Sequence, residues 1–546
     1  MDKLKNVVEL IERAEKLFGD RTLFQIRNKE SFDKITYKQF VKDVKSLAAY
    51  FNKNGLSYKH ISVIGENSYE YCVTYYAAIY CGSVIVPIDK DLTPTEISSL
   101  LTMADTAFLM YSSAYDESVE TIIEAHPEIQ FSKITKRAKE GTYLDLLAKG
   151  EAIVAAEGTS FKADPEYKSM CEIVLTSGTT GVSKGVMLSH ENLLTNIYSC
   201  VEVIQFKVTT LSLLPMHHTF ESTLGVMLTL YYGTTISINN SVKYISQNMK
   251  LFRPTELLVV PLIAESLYNN IWKAVRESGK EKAVKTMLSV SRFLLKMGID
   301  LRRVFFKKIL AAFGGRLDSM FCGGALLDKD VAVGLYEFGI NVYIGYGITE
   351  CSPLIGGNIS LKPAKYGSCG QAFSCNEIKL VDLNENGEGE IYVKGTNVML
   401  GYYKNPEATA EVMEDGWYKT GDIGRYDEDG FMYITGRKKN VIVLKNGKNI
   451  YPEELEGYIA KIKYVKECLV TAVSSGLEQS AIQAEIFLNQ DLIEEDKFEG
   501  AEKYVSDEIE TLNDTLAYYK RITAVKFREV EFNKTTSRKI KRHNQN

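Results

Sequence analysis

Between residues 36 and 111 the chain alternates short apolar runs with amphipathic stretches, and this alternation restricts the fold more than any other feature. Thr36-Tyr-Lys-Gln39 reads as a capping box that opens a helix with Phe40, Val41, Val44, Leu47, Ala48 and Phe51 on one stripe. A strand over 60–64, a helix over about 68–80 and a strand over 83–88 follow. Thr93-Pro-Thr-Glu96, a capping box with proline at the first helical position, opens the next helix before a strand over 108–111. Strands separated by helices run parallel, because the crossover returns each strand to the same end of the sheet. The expected class is therefore α/β, with a large N-terminal domain of layered helices and mostly parallel sheets. Such sheets bind ligands beyond the carboxyl ends of their strands.

A chain of 546 residues is too long for one ordinary core. After Gly436 the pattern turns to mixed α+β, with strands expected over 467–473, 481–488 and 522–530 and a polar helix over about 500–519. The expected division is a large domain, 1–436, and a small α+β domain, 437–546. A net charge of −5 gives no pull toward nucleic acid. Nine scattered cysteines with no Cys-x-x-Cys argue against a disulfide framework or a zinc site and fit a reducing cytosol. The charged N-terminus has no apolar core or cleavage site of a secretory signal, and the longest apolar stretch, 73–88, is broken by Gly82 and Pro87. A cytoplasmic location is expected. One segment departs from the average: 271–310 holds eleven lysines and arginines against Glu277, Glu281 and Asp300, interleaved with Met287, Leu288, Phe293, Leu294, Leu295 and Met297. A basic amphipathic stretch of this kind is either a solvated helical face or a peripheral contact with the inner face of a membrane.

The richest chemistry lies in Cys171-Glu-Ile-Val-Leu-Thr-Ser-Gly-Thr-Thr-Gly-Val-Ser-Lys-Gly-Val-Met-Leu-Ser-His190. Two apolar runs bracket a loop of hydroxyls, glycines and one lysine, which reads as strand, polar loop, strand. Gly178, Gly181 and Gly185 allow close backbone approach, so N–H groups can converge on an anion while Thr176, Ser177, Thr179, Thr180 and Lys184 add donors. The spacing is not that of a Walker A loop: counting from Gly178 puts Ser183 and Lys184 where Gly-Lys should fall. Nor is Gly345-Tyr-Gly-Ile-Thr-Glu350 a dinucleotide fingerprint, since a glutamate stands where the third glycine belongs.

The order Thr176-Ser-Gly-Thr-Thr-Gly-Val-Ser-Lys-Gly185 resembles the signature loop of the adenylate-forming enzymes, which include acyl-CoA synthetases, peptide-synthetase adenylation domains and luciferases. Further matches extend the resemblance over nearly the whole chain. Gly345–Glu350 resembles the second ATP motif, which implies that Tyr346 packs on adenine beside Gly347, Thr349 meets the α-phosphate and Glu350 binds Mg²⁺ together with Thr176. Gly323, Gly324 and Ala325 of Phe321-Cys-Gly-Gly-Ala325 would then lie along the adenine. Trp417-Tyr-Lys-Thr-Gly-Asp422 resembles the ribose motif, with Asp422 on the two hydroxyls, and Gly436-Arg-Lys-Lys-Asn440 implies a nucleotide contact at Arg437 and an inter-domain hinge near 436–440 at Lys439. Asn440 stands where many relatives carry an acid.

The C-terminal Lys534-Thr-Thr-Ser-Arg-Lys-Ile-Lys-Arg542 aligns with the last motif and implies that Lys539 is the catalytic lysine, although Asn533 replaces the usual proline and Arg538 the usual glycine. Gly447, in the loop after Val441, would line the pantetheine tunnel of CoA once the small domain has rotated. Leu213-Leu-Pro-Met-His-His-Thr-Phe-Glu221 occupies the place of the acyl-pocket motif, with His218 at its histidine position. The apolar neighbours and 254–268 look most like long-chain acyl-CoA synthetases. The resemblance implies ATP-dependent activation of a carboxylic acid, expected to be a medium- or long-chain fatty acid, with CoA as co-substrate. Loading of an acyl or amino acid onto an acyl carrier protein is the alternative.

Overall fold

The computed structural model describes residues 3–135, 139–176, 183–204, 206–239, 241–444, 449–475, 479–534 and 540–542. The chain forms two compact units, Met1–Glu377 with Val393–Tyr418, and Ile378–Tyr392 with Lys419–Asn546.

The first unit is built on two sheets. One has seven strands in the order Gly401–Tyr402, Lys184–Ser189, Met170–Thr176, Val84–Ile88, His60–Ile64, Thr106–Ser112, Gln130–Ile134. From Met170–Thr176 to Gln130–Ile134 all neighbours are parallel, while Lys184–Ser189 and Gly401–Tyr402 add antiparallel strands at one edge. The other has nine strands, whose central run from Asn341–Gly347 through Ser319–Cys322, Glu256–Val259, Thr209–Ser212 and Thr235–Ile238 to Thr22–Asn28 is parallel. The expected α/β class with mostly parallel sheets is what the unit shows.

Local sequence explains where the helices start. Tyr69–Tyr80 begins after Ser68, whose hydroxyl accepts from the Tyr71 amide, and Pro94–Met103 begins on the complete Thr93/Glu96 capping box. At Tyr37–Lys53 only half of the expected box forms. Thr36 accepts from the Gln39 amide, but the Gln39 side chain donates to Asp43 at 2.8 Å instead of turning back to the cap. Asp43 also accepts from the Tyr69 hydroxyl at 2.6 Å, so a tertiary contact outcompetes the local one.

The second unit contains the three-stranded sheet Val465–Ser475, Gln479–Leu488, Ala524–Arg528, covered by Pro452–Ile459 and Ala501–Thr515. The first two strands are antiparallel and the third runs parallel to the second. Ile442, Ile450, Leu455, Ile459, Val470, Ile486, Val505 and Ile509 form its core. The helix expected over 500–519 ends at Thr515, after which Tyr518–Lys520 makes one tight turn.

Candidate active site

In the first unit the glycine-and-hydroxyl loop closes an antiparallel hairpin. Thr176 and Lys184 are register partners at its mouth, and the Thr176 hydroxyl donates to the Lys184 carbonyl at 3.3 Å. Gly185 follows because a Cβ there would come within 2.9 Å of the Ile173 side chain. Ser177, Gly178, Thr179, Thr180 and Gly181 lie outside the described residues.

The Lys184 ammonium sits 4.7 Å from the centre of the Tyr402 ring, and the Tyr402 hydroxyl donates to Glu350 Oε1 at 2.9 Å. Burial and the neighbouring Glu350 push the Tyr402 phenol up, so it remains a proton donor to that carboxylate. One tyrosine thus joins the loop lysine to the carboxylate expected to bind Mg²⁺. Tyr402 was not among the residues the sequence singled out. Its only sign there is the pair of tyrosines after Gly401, and its place is fixed by pairing of Tyr402 with Val186 on the hairpin.

Glu350 stands in the short turn Thr349–Cys351, which is braced from both sides. Ser352, in the left-handed region at φ 64°, donates its hydroxyl to the Asn397 carbonyl at 2.9 Å. Asn397 donates to the Cys351 and Leu354 carbonyls at 2.9 Å each, and Asn196 donates to the Leu354 carbonyl at 2.8 Å. Both asparagines are fully buried. A buried amide that satisfies two backbone oxygens at once leaves the turn few alternatives. A single carboxylate suits Mg²⁺, which keeps most of its shell from water and phosphate rather than from a protein cage.

The two candidate adenine segments are neighbours. Cys322 pairs in parallel with Ile344, so Gly323, just past the end of one strand, lies beside Gly345 near the carboxyl end of its neighbour Asn341–Gly347. Gly324 needs its glycine for φ +86°, and a Cβ at Gly347 would meet the Pro353 carbonyl oxygen at 2.1 Å. Gly324 and Ala325 are exposed, while Tyr346 is buried.

Beside these strand ends lies an apolar pocket lined by Phe206, Phe220, Leu224, Leu228, Leu258, Phe321, Tyr343, Gly345, Leu354 and Phe373 among others. Phe321 and Gly345 belong to the candidate adenine segments, and Phe220, Leu224 and Leu228 project from the helical turn that follows His218. That turn, Phe220–Met227, is a π-helix, a form concentrated at functional sites. His218 is half-buried, with its ring 4.3 Å from that of buried His217. Burial, then His218, holds the His217 imidazole well below its usual range, and its Nε2 lies 3.6 Å from Asp89.

Glu221 is fully buried on the same turn. Burial pushes its carboxyl up from 4.5 to about 8, opposed by hydrogen bonds from Ser212 and the Leu214 backbone. Ser212 and the Leu214 carbonyl also accept from Asn67 at 3.0 and 2.7 Å, so Glu221 belongs to a polar clamp on the loop that bears His217 and His218. Between pH 4.5 and 8 the native state holds this proton and the unfolded state releases it, so stability falls as pH rises through that window. Glu172, raised to about 7 by burial, acts with the same sign. Glu221→Gln is expected to match the parent near pH 5 and to melt several degrees higher near pH 9. Parallel melting curves for the two proteins across this range would show that Glu221 does not titrate this way.

In the second unit Asp422 and Arg437 are register partners on antiparallel strands, and Arg437 Nε approaches Asp422 Oδ1 at 2.8 Å. Asp422 is 3% exposed, and its amide donates to the Thr420 hydroxyl, which itself donates to the Ile391 carbonyl at 2.8 Å. Two residues that the sequence assigned separate nucleotide contacts are therefore one ion pair. Lys439 follows at two residues' distance; burial and Arg437 lower its pKa. Asn440, in place of the usual acid, donates to Glu453 at 2.5 Å. Gly447 and Lys539 lie outside the described residues. The flanks of 535–539 are tied down: Lys534 and Ile540 form a bridge, Ile540 packs on Leu469, Phe487 and Phe532, and Arg542 pairs with Glu456 at 2.6 Å.

The family model for AMP-binding enzyme matches residues 11–403. The chain belongs to the AMP-binding enzyme family. Fatty acyl-CoA synthetase B of Dictyostelium discoideum is 28% identical over 514 residues, covering 86% of this chain and 75% of that protein. A long-chain-fatty-acid–CoA ligase of Salmonella typhimurium is 27% identical over 518 residues, covering 88% and 85%. Among solved structures, o-succinylbenzoate coenzyme A synthetase from Bacillus subtilis in complex with ATP and magnesium ion superimposes with a TM-score of 0.73 at 20% identity, covering 98% of both chains. At that identity the likeness speaks for the fold. Among the described residues no helix is long and apolar enough to cross a membrane.

Proposed function

We propose that this member of the AMP-binding enzyme family is an ATP-dependent acyl-CoA ligase for medium- or long-chain fatty acids. The observation that carries the reading is the apolar pocket that Phe321 and Gly345 help to line, because its lining suits an acyl chain and adjoins the segments proposed to hold adenine. A carboxylate is a poor acyl donor, since its charge repels nucleophiles and its oxygen leaves badly. In the first step a carboxylate oxygen bonds to the α-phosphorus of ATP, the bond to pyrophosphate breaks, and an acyl-adenylate forms. In the second the CoA thiol, losing its proton, bonds to the acyl carbon and AMP leaves.

The roles follow the chemistry of each group. Thr176, Lys184 and residues 177–181 hold the phosphates, and Thr349 and Lys539 face the α-phosphate, where charge builds as pyrophosphate departs. Tyr346, Gly347, Gly323, Gly324 and Ala325 hold adenine, and Asp422 with Arg437 holds the ribose side. Glu350, positioned by Tyr402, holds Mg²⁺ with Thr176; the ion when bound neutralises phosphate charge. His218 closes the acyl site, and Gly447 lines the path of CoA after rotation about Lys439. The rotating body is 437–546. A cytoplasmic location with peripheral membrane contact through 271–310 goes with this reading.

Pyrophosphate release across a panel of acids, with CoA or an acyl carrier protein as acceptor, tests it. Release with fatty acids and thioester formation on CoA is expected. Release only with amino or aryl acids, or transfer only to the carrier, would replace the reading by the alternative. Leu224→Trp should fill the pocket. If three or four methylenes lose their site at about 0.8 kcal/mol each, kcat/KM for long acids falls about a hundredfold while that for short acids changes little. An equal loss at every chain length would place the acyl chain elsewhere.

A further inference from the structure

Helix Glu281–Lys296 is divided lengthwise into three faces. At 3.6 residues per turn, Val284, Leu288, Ser291 and Leu295 fall on one face, and this face packs on the core, where Leu288 and Ser291 are buried. Lys282, Lys285, Arg292 and Lys296 share the second face. Met287, Val290, Phe293 and Leu294, continued by Met297, occupy a third sector roughly 120° wide, and it points to solvent. Met287 is 40% exposed, Val290 47%, Phe293 64% and Met297 62%. The helix is not loosely held: Arg292 clasps Glu337 of the neighbouring helix Lys329–Glu337 through two bonds of 2.5 and 3.0 Å. An apolar stripe of this length on a firmly docked helix marks a contact surface rather than a scatter of exposed side chains.

The charge around it is one-sided. Of the three acids in 271–310, Glu281 is paired with Lys285 at 2.7 Å and Asp300 with Arg302 at 2.8 Å, which leaves exposed Glu277 against the exposed Lys280, Lys282, Lys296, Lys307 and Lys308. Ile299 and Val304 add exposed apolar surface in the turns that follow. A second copy of this chain would bring the same positive excess against itself. A bilayer with anionic headgroups supplies phosphate and hydrocarbon in adjacent layers, which is the order in which this helix presents its basic and apolar sectors.

We propose that helix Glu281–Lys296 is a docking surface for an anionic lipid bilayer, with Met287, Val290, Phe293 and Met297 entering the headgroup–acyl boundary and Lys282 and Lys296 on lipid phosphates. This gives a face to the peripheral contact of the proposed function, and rests on that reading for location alone. The test is co-sedimentation of the full chain with phosphatidylcholine vesicles with and without phosphatidylglycerol, at low and high salt. Binding to the anionic vesicles, weakened by salt, is expected. It should fall about tenfold or more in V290D/F293D and in K282E/K296E, with the first losing binding at every salt concentration. Pyrophosphate exchange with a water-soluble acid, measured without vesicles, should be the same in all variants and reports separately on the ligase reading. Failure of the parent to bind anionic vesicles at low salt, or undiminished binding by V290D/F293D, overturns the proposal. So does retention on immobilised poly-glutamate or a dimer disrupted by V290D/F293D when no vesicle binding is seen, since the face would then serve an acidic protein or a second copy.

Discussion

Lys539→Ala is expected to slow acyl-adenylate formation by about 10²–10³-fold, the usual cost of removing one preorganised donor from developing oxyanion charge. Thioester formation from preformed acyl-adenylate should be nearly unchanged, because the second step expels AMP and needs no stabilisation of departing pyrophosphate. The anchoring around this residue makes the comparison clean. Ile540 is seated on Leu469, Phe487 and Phe532, and Lys534 bridges Glu467 and Glu531. Substitution at 539 removes a charge and leaves the side chains of Lys534 and Ile540 unchanged. Single-turnover measurement of each half-reaction decides the matter: normal adenylation, or an equal defect in both halves, would remove Lys539 from its role in the first step. Acetylation of Lys539, which erases the same charge, is expected to reproduce the alanine phenotype.

Asp422→Ala should raise KM for ATP by about 10²–10⁴-fold. Hydrogen bonds to a charged acceptor contribute about 1.5–3 kcal/mol each, and a ribose offers two donors to one carboxylate. The substitution also leaves Arg437 without the partner 2.8 Å away. Asp422→Asn separates the two effects, since the amide keeps one acceptor for ribose but loses the ion pair. The pair of variants is read by ATP titration and by the affinity for 2′-deoxy-ATP. A parent that binds ATP and the deoxy nucleotide equally, or an alanine variant with unaltered KM, would take Asp422 off the ribose.

The strand–helix order of 36–111 could be read directly because each element has its own local cause. Ser68 and Thr93 cap their helices, and the apolar runs at 60–64 and 84–88 are buried on both faces of a parallel sheet. The exception is Gln39, where a side chain from a distant helix, Tyr69, helps to draw Asp43 and with it the glutamine away from the cap. The same limit applies to the site. Glycines and hydroxyls in a fixed order mark a candidate phosphate loop, but nothing in the order of residues says that Tyr402 lies between Lys184 and Glu350, or that Asn196 and Asn397 brace the turn bearing Glu350. Those partners are separated by roughly fifty to two hundred residues and meet only through sheet pairing.

Sequence alone determined the class of fold and the family resemblance, and nominated the residues proposed to do the chemistry, because backbone propensity, capping and loop composition are properties of neighbours in the chain. Tertiary structure decided the rest. It made one ion pair of Asp422 and Arg437, gathered an apolar pocket against Phe321 and Gly345, buried Glu221 so that its carboxyl is pushed up, and turned one sector of Glu281–Lys296 outward. The physical reason is that burial and charge pairing depend on which surfaces the fold brings together, and a periodic apolar pattern is the same whether its stripe ends in the core or in solvent.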